Sequence, residues 1–170
     1  MTRFVIGAVL ASLASTAALA EEHLEASPEV QASEEAVTER KYHNAQQVYL
    51  SSLMASDGWY TMEGGLRWRY VDYVGRGPSP TPADRVTVNY EGSFIDGEVF
   101  DSSFERGTPA TFPLSGLITA WEMAIPQMRV GETIELAAPA GLAYGPRGRG
   151  PIPGGATLVF KVELLGIEGR

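Results

Sequence analysis

The sequence predicts an α+β protein, an antiparallel sheet of about five strands with one short helix packed on one face. Three observations carry this. Apolar residues recur at every second position, as in Val86, Val88 and Tyr90 or Leu158, Phe160, Val162 and Leu164. Asp96-Gly97 stands between two apolar runs, where a primed hairpin turn needs residues that accept positive φ. Helical spacing within this region is confined to Ile118, Trp121 and Ile125, and Pro126 stops it.

Taken in order, Met1 to Ala20 reads as a secretory signal. Arg3 gives the positive start, Phe4 to Leu19 is uncharged and largely apolar, and Ala18-Leu19-Ala20 is a small-x-small cleavage site. The run is Ala-rich and marginally short for an anchor, so cleavage before Glu21 is expected, leaving a soluble periplasmic or secreted protein with no membrane span. Glu21 to Glu39 is an acidic arm whose single-sign charge favours disorder or a frayed helix, with Ser27-Pro28 as a place for a helix to start. From about Val37 to Asp57 a helix is expected. Tyr42, Ala45, Tyr49 and Leu53 share one of its faces, Gly58 is placed to cap it, and so narrow a seam favours packing on its own domain.

Leu66, Trp68 and Tyr70 alternate with Arg67 and Arg69 in a first strand. Gly75 to Pro82 is too rich in proline for regular structure. Val86 to Tyr90 and the run ending in Phe100 and Asp101 form the central hairpin, and Ala110 to Pro113 is a short strand carrying Phe112. A helix from about Leu117 to Ile125 follows. Then come a strand over Glu132 to Ala138, a Gly/Pro loop over Ala140 to Gly155, and a last strand over Thr157 to Leu165. The expected organisation is a signal peptide over 1–20, an acidic arm and helix over 21–58, and a folded domain over 59–170.

The composition excludes much chemistry. An apolar share of 44% beside 20% charged residues fits a globular chain with a real core. The formal charge is −8, and losing Arg3 with the leader makes the mature chain more acidic still, so nucleic acid is not an expected partner. Without cysteine there are no disulfides, no thiol chemistry, no zinc–thiolate site and no acylated N-terminal Cys anchor. Both histidines, His23 and His43, precede the domain, which leaves no Ser-His pairing and no His-based metal site within it. Gly145 to Gly150 lacks the Gly-Lys-Ser/Thr ending of a phosphate loop. A carboxylate pair from Asp96, Glu98 and Asp101 stays open, although the turn uses Asp96 and Glu98 is expected to face water.

What remains is an aromatic site. Tyr90, Phe100, Phe112, Trp121, Tyr144 and Phe160 can reach one end of the sheet. Each alone reads as core. As a set they do not, because the Tyr90 and Tyr144 hydroxyls and the Asp101 charge are costly to bury beside rings unless paired or used by a ligand. Arg147 and Arg149 read as solvated loop charges.

These residues resemble a known family, the FKBP-type peptidyl-prolyl cis-trans isomerases, over Gly65 to about Ile167. The matching elements begin with Val-x-Val-x-Tyr-x-Gly at Val86 to Gly92 and Asp-Gly-x-x-Phe-Asp-Ser-Ser at Asp96 to Ser103. Arg106-Gly107-x-Pro109-x-x-Phe112, Leu117-Ile118-x-x-Trp121 and Met128-x-Val130-Gly131 follow. Leu142-Ala143-Tyr144-Gly145, Ile152-Pro153 and the run Leu158 to Leu165 complete the order. The leader, the arm and Met62 to Tyr73 resemble the secreted bacterial branch. Larger members of that branch dimerise through long helices, and with so short a helix a monomer is expected here.

The resemblance implies an antiparallel five-stranded half-barrel wrapped around the short helix. It implies a pocket floored by Trp121, walled by Tyr90, Phe100, Phe112, Leu117, Ile118, Tyr144 and Phe160, with Ile152 on the loop above. Asp101 matches the family's pocket aspartate, steadied by Tyr90 and Arg106. The Ile118 N–H and the Tyr144 hydroxyl match groups that bond ligand carbonyls. Proline-containing polypeptides are the implied substrates and FK-type macrolides possible inhibitors, with no cofactor or metal. The sequence departs from the family's pattern at Gly150-Pro151-Ile152-Pro153-Gly154-Gly155, at Ala120 and Ala124 where glycines are frequent, and at Pro126. The alternative expectation is a holdase or partner-binding module of the same fold with little isomerase activity.

Overall fold

The computed structural model describes residues 27 to 169. The expected signal peptide and the first residues of the acidic arm lie outside the described residues.

Helix α1 spans Pro28–Ser52, so it starts well before the expected Val37 and stops short of Asp57. Pro28 in the first turn presets φ, and Glu29 there complements the helix dipole, although the Ser27 side chain makes no capping bond. These two features let the acidic arm join the helix from Pro28 onward. Gly58 caps a different element, the 3₁₀ turn Ala55–Asp57, in the left-handed conformation at φ 84°. The packed face also differs by one residue from expectation. Gln46 and Leu50 are buried, Tyr42, Tyr49 and Leu53 half-buried, and Ala45 exposed. Gln46, Leu50 and Leu53 follow the i, i+4, i+7 row, and Ala45 lies about 100° around the helix from Gln46.

The sheet is wholly antiparallel. Its strands are β1 (Tyr60–Thr61), β2 (Arg67–Asp72), β3 (Arg85–Ser93), β4 (Val99–Ser102), β5 (Ala110–Pro113), β6 (Thr133–Ala138) and β7 (Leu158–Ile167). They lie in the order β1-β2-β6-β7-β3-β4, with β5 also on β3. Seven strands stand where about five were expected. β1 is too short to show a period, and β3 is long enough to hold β5 along its first half and β4 along its second. The turn after Phe94 has Gly97 at φ 91°, with the Asp96 carboxylate accepting the Glu98 N–H, so Asp96 is used as the sequence indicates. A short helix α2 (Ser103–Arg106), capped by Ser102, joins β4 to β5.

Register shifts in β2, β3 and β7 curl the sheet. Helix α3 (Thr119–Ala124) lies in the hollow. Val86, Val88, Ile134, Leu136, Leu158 and Val162 are fully buried against it, the alternation expected of a half-covered sheet. Ala120 and Ala124 are also fully buried, and their small side chains suit a helix lying close on the sheet. α3 ends in the 3₁₀ turn Ile125–Gln127, where Pro126 stands.

On the outer face α1 packs through Leu50 onto Trp59 and Ala137. Arg69 covers the Trp59 ring at 4.6 Å and pairs with Glu135 at 2.6 Å. Gln46 Oε1 accepts the Thr157 N–H at 2.9 Å in a buried bond. The long loop between β6 and β7 is folded back on itself. A Cβ on Gly154 would lie 2.1 Å from the Pro146 carbonyl oxygen, and one on Gly155 would lie 2.4 Å from the His43 ring. The departures at Gly154 and Gly155 therefore serve close approach, of one limb of the loop to the other and of the loop to α1.

Candidate functional site

The hollow side of the sheet opens at one end into a cavity of about 490 Å³ between α3, β3–β5 and the β6–β7 loop. Strand alternation and helical spacing aim side chains into it. Trp121, on the buried face of α3, forms the floor at 4% exposure. Its ring is met edge-on by Tyr90 of β3 at 5.3 Å, Phe160 of β7 at 5.5 Å and Phe112 of β5 at 6.5 Å. Phe100 of β4 completes the wall and stands perpendicular to Phe160 at 5.9 Å. Gly92 makes this possible, since a Cβ there would lie 2.7–2.9 Å from the Phe100 and Phe160 rings. The Trp121 indole N–H has no hydrogen-bond partner, the buried side-chain polar atom so left among the described residues. Such a donor is costly unless rings or a ligand face it.

Leu117 and Ile118 form the rim before α3, and the Ile118 carbonyl accepts the Trp121 and Glu122 N–H groups that open the helix. Tyr144 and Ala143 line the opposite side from the loop. Gly116 and Thr119 also line the cavity, and no pattern in the sequence marked them.

The polar part is a three-residue network. Tyr90 Oη donates to Asp101 Oδ2 at 2.5 Å, Arg106 Nη1 donates to Asp101 Oδ1, and Arg106 Nη2 donates to Tyr90 Oη at 3.0 Å. The Arg106 guanidinium also lies over the Tyr90 ring at 5.5 Å. Burial pushes the Asp101 carboxyl upward, but the bonds from Tyr90 and Arg106 and the guanidinium charge outweigh it and hold the group below the usual carboxylate range. Burial, followed by the bond to Asp101, raises the Tyr90 hydroxyl, which stays a neutral donor. Asp101 is thus an ion fully used by its neighbours, and Glu98, on the exposed turn, does not pair with it.

Of the sequence-derived residues, Tyr90, Phe100, Asp101, Phe112, Leu117, Ile118, Trp121, Tyr144 and Phe160 meet around one cavity. Arg106 reaches it through Asp101. Ile152 does not line it. Its side chain is 8% exposed and packs into the core, while its backbone pairs with Arg149. Arg149, read from the sequence as a solvated loop charge, is exposed as expected and also lines the cavity, its backbone paired with Ile152 across the Gly150-Pro151 turn. Arg147 is exposed and stays outside it.

The comparisons agree with this geometry. Residues 77–165 match the family described as FKBP-type peptidyl-prolyl cis-trans isomerase. The chain is 48% identical to the FKBP-type 22 kDa peptidyl-prolyl cis-trans isomerase of Escherichia coli (strain K12), over 70% of this chain and 58% of that protein. It is 43% identical to the peptidyl-prolyl cis-trans isomerase Mip of Coxiella burnetii, over 71% of this chain and 52% of that one. The chain thus spans little more than half the length of these curated relatives. Among solved structures, FkpA from Escherichia coli superposes with a TM-score of 0.69 at 33% identity, covering 85% of this chain and 74% of that one. An isomerase from Pseudomonas syringae pv. tomato superposes with the same TM-score of 0.69 at 30% identity, covering 75% and 94%. A curled antiparallel sheet around α3, an indole-floored aromatic cavity and a matched family model lead to one conclusion: the chain belongs to the FKBP-type peptidyl-prolyl cis-trans isomerase family.

Proposed function

We propose that this chain accelerates cis–trans isomerisation of Xaa-Pro bonds in exported polypeptides. The observation that carries the reading is the ring-walled cavity over Trp121, whose one carboxylate is already neutralised by Arg106. Rotation about a peptide bond faces about 18–20 kcal/mol, because resonance gives the C–N bond double-bond character. No bond breaks, so the chemistry requires no nucleophile, metal or cofactor. The planar amide holds separated charge that the twisted amide largely loses, so moving it from water among rings favours the twisted form. In this reading the prolyl ring rests on Trp121, with Phe100, Phe112 and Phe160 excluding water. Tyr144 or the Ile118 N–H holds the turning carbonyl. The Tyr90–Asp101–Arg106 network fixes the polar edge of the site. Lowering the barrier by about 5 kcal/mol would give roughly a 10⁴-fold gain.

The same reading takes residues 1–20 as a cleaved signal, 21–58 as the arm and helix, and 59–170 as the catalytic domain, in a soluble extracytoplasmic monomer. No helix among the described residues is long and apolar enough to cross a membrane. FK-type macrolides, with a proline-like ring and adjoining carbonyls, are expected to compete for the cavity. A protease-coupled assay on a Xaa-Pro tetrapeptide tests the proposal. Measurable kcat/KM is expected, falling by about tenfold or more in Phe100→Ala and only several-fold in Asp101→Leu, since Asp101 supports rather than contacts the ring. A rate no faster than spontaneous would move the assignment to a partner-binding module.

A further inference from the structure

The charges around the cavity are unequal. Asp101 is balanced by Arg106, whereas Arg149 makes no ion pair or side-chain hydrogen bond among the described residues. The acids of α1 do not supply a partner, because Glu34, Glu35 and Glu39 line a separate groove with the other limb of the loop, at Pro153 and Gly154. The base from which Arg149 projects is stiff. Its backbone N–H and carbonyl exchange bonds of 2.9 and 3.0 Å with Ile152, closing Gly150-Pro151 as a two-residue turn. Gly148, at φ 68°, sits so close that a Cβ would lie 2.1 Å from the Ile152 carbonyl oxygen, and Ile152 itself is anchored in the core. A solvent-exposed guanidinium with no ion pair therefore stands on a fixed backbone at the rim of the ring-walled cavity, where a carboxylate can meet its fork in two bonds.

We propose that Arg149 makes the site favour Glu or Asp over a neutral residue of the same shape immediately before the proline. The inference rests on the isomerase reading above. In that reading the carbonyl held by Tyr144 or the Ile118 N–H belongs to the residue before the proline, and Tyr144 and Arg149 line the cavity from the same loop. The preference must be local. The chain as a whole is acidic, at −8, and its overall field opposes acidic substrates.

The test is a protease-free isomerisation assay on four tetrapeptides that differ only before proline, carrying Leu, Gln, Glu or Lys. The Glu-to-Gln ratio of kcat/KM isolates the charge at nearly constant shape. A ratio of roughly three to five is expected at low salt, shrinking as ionic strength rises. It should fall to about one in Arg149→Gln and drop below one, with Lys now preferred, in Arg149→Glu. Arg147→Gln removes the same charge from the same loop and should leave the ratio in place. A wild-type ratio near one, or a ratio equally reduced by Arg147→Gln and Arg149→Gln, overturns the inference. Turnover of the Leu-Pro peptide reports separately on the isomerase reading, so the two fail in distinguishable ways.

Discussion

Gly92 has no Cβ, and two rings occupy the space one would need. The nearest atoms, 2.7–2.9 Å away, are the outer edges of Phe100 and Phe160, which can swing where backbone could not. Gly92→Ala is therefore expected to cost only about 1 kcal/mol of stability, at the low end for overpacking. It should cut kcat/KM by roughly tenfold, because the wall has moved. Urea unfolding beside the peptide assay checks this, and a loss confined to stability would contradict it. Asp101 gives a second expectation. Its folded pKa is depressed, so its stabilisation is complete above the unfolded carboxyl value and is lost as pH falls through the lower folded one. With Asp101 40% exposed the effect is small. Melting curves across the acid range should show wild type losing stability more steeply than Asp101→Asn. The Tyr90–Asp101–Arg106 network was legible through the resemblance to a family. Arg149 was not, since nothing in a Gly/Pro run tells which way its turn folds.

The long strands β3 and β7 were legible because each has one buried face, so the period of two survives in the sequence. β7 keeps Leu158, Phe160, Val162 and Leu164 inward and leaves Lys161 exposed as expected. The boundaries of α1 were less so. Its first half gains nothing from packing, every residue from Pro28 to Lys41 being exposed, and so carries no apolar stripe to read. Its second half is attached partly through a polar residue, which hydropathy assigns to water. Gln46 is 5% exposed and supplies the acceptor for Thr157 N–H at the entry to β7. Gln46→Leu keeps the volume and removes the acceptor, leaving a buried N–H unpaired at about 1–3 kcal/mol. Thermal melting should show Tm lowered by several degrees. An unchanged Tm would mean that water reaches this bond and that α1 is held by Leu50 and its neighbours alone.

For the whole molecule the open question is whether the exposed half of α1 joins a second chain. Its exposed large apolar residues are Val30 at 45% and Val37 at 40%, seven residues apart, among Glu29, Glu34, Glu35 and Glu39. That is one heptad of one seam position, where a coiled coil sustains several and needs two positions in each. A stable interface buries about 1,000 Å² or more with an apolar centre, and two such faces would bring like-charged glutamates together first. The second half of the helix is already committed to Trp59 and Ala137 of its own chain. The protein is therefore expected to sediment as a monomer at micromolar concentration, with a Tm independent of concentration. Deleting residues up to Arg40 should leave Tm within about one degree, because every described residue lost, from Ser27 to Arg40, is exposed. A concentration-dependent Tm that disappears on this deletion would show that the acidic half-helix carries a self-association that its surface gives no apolar means to hold.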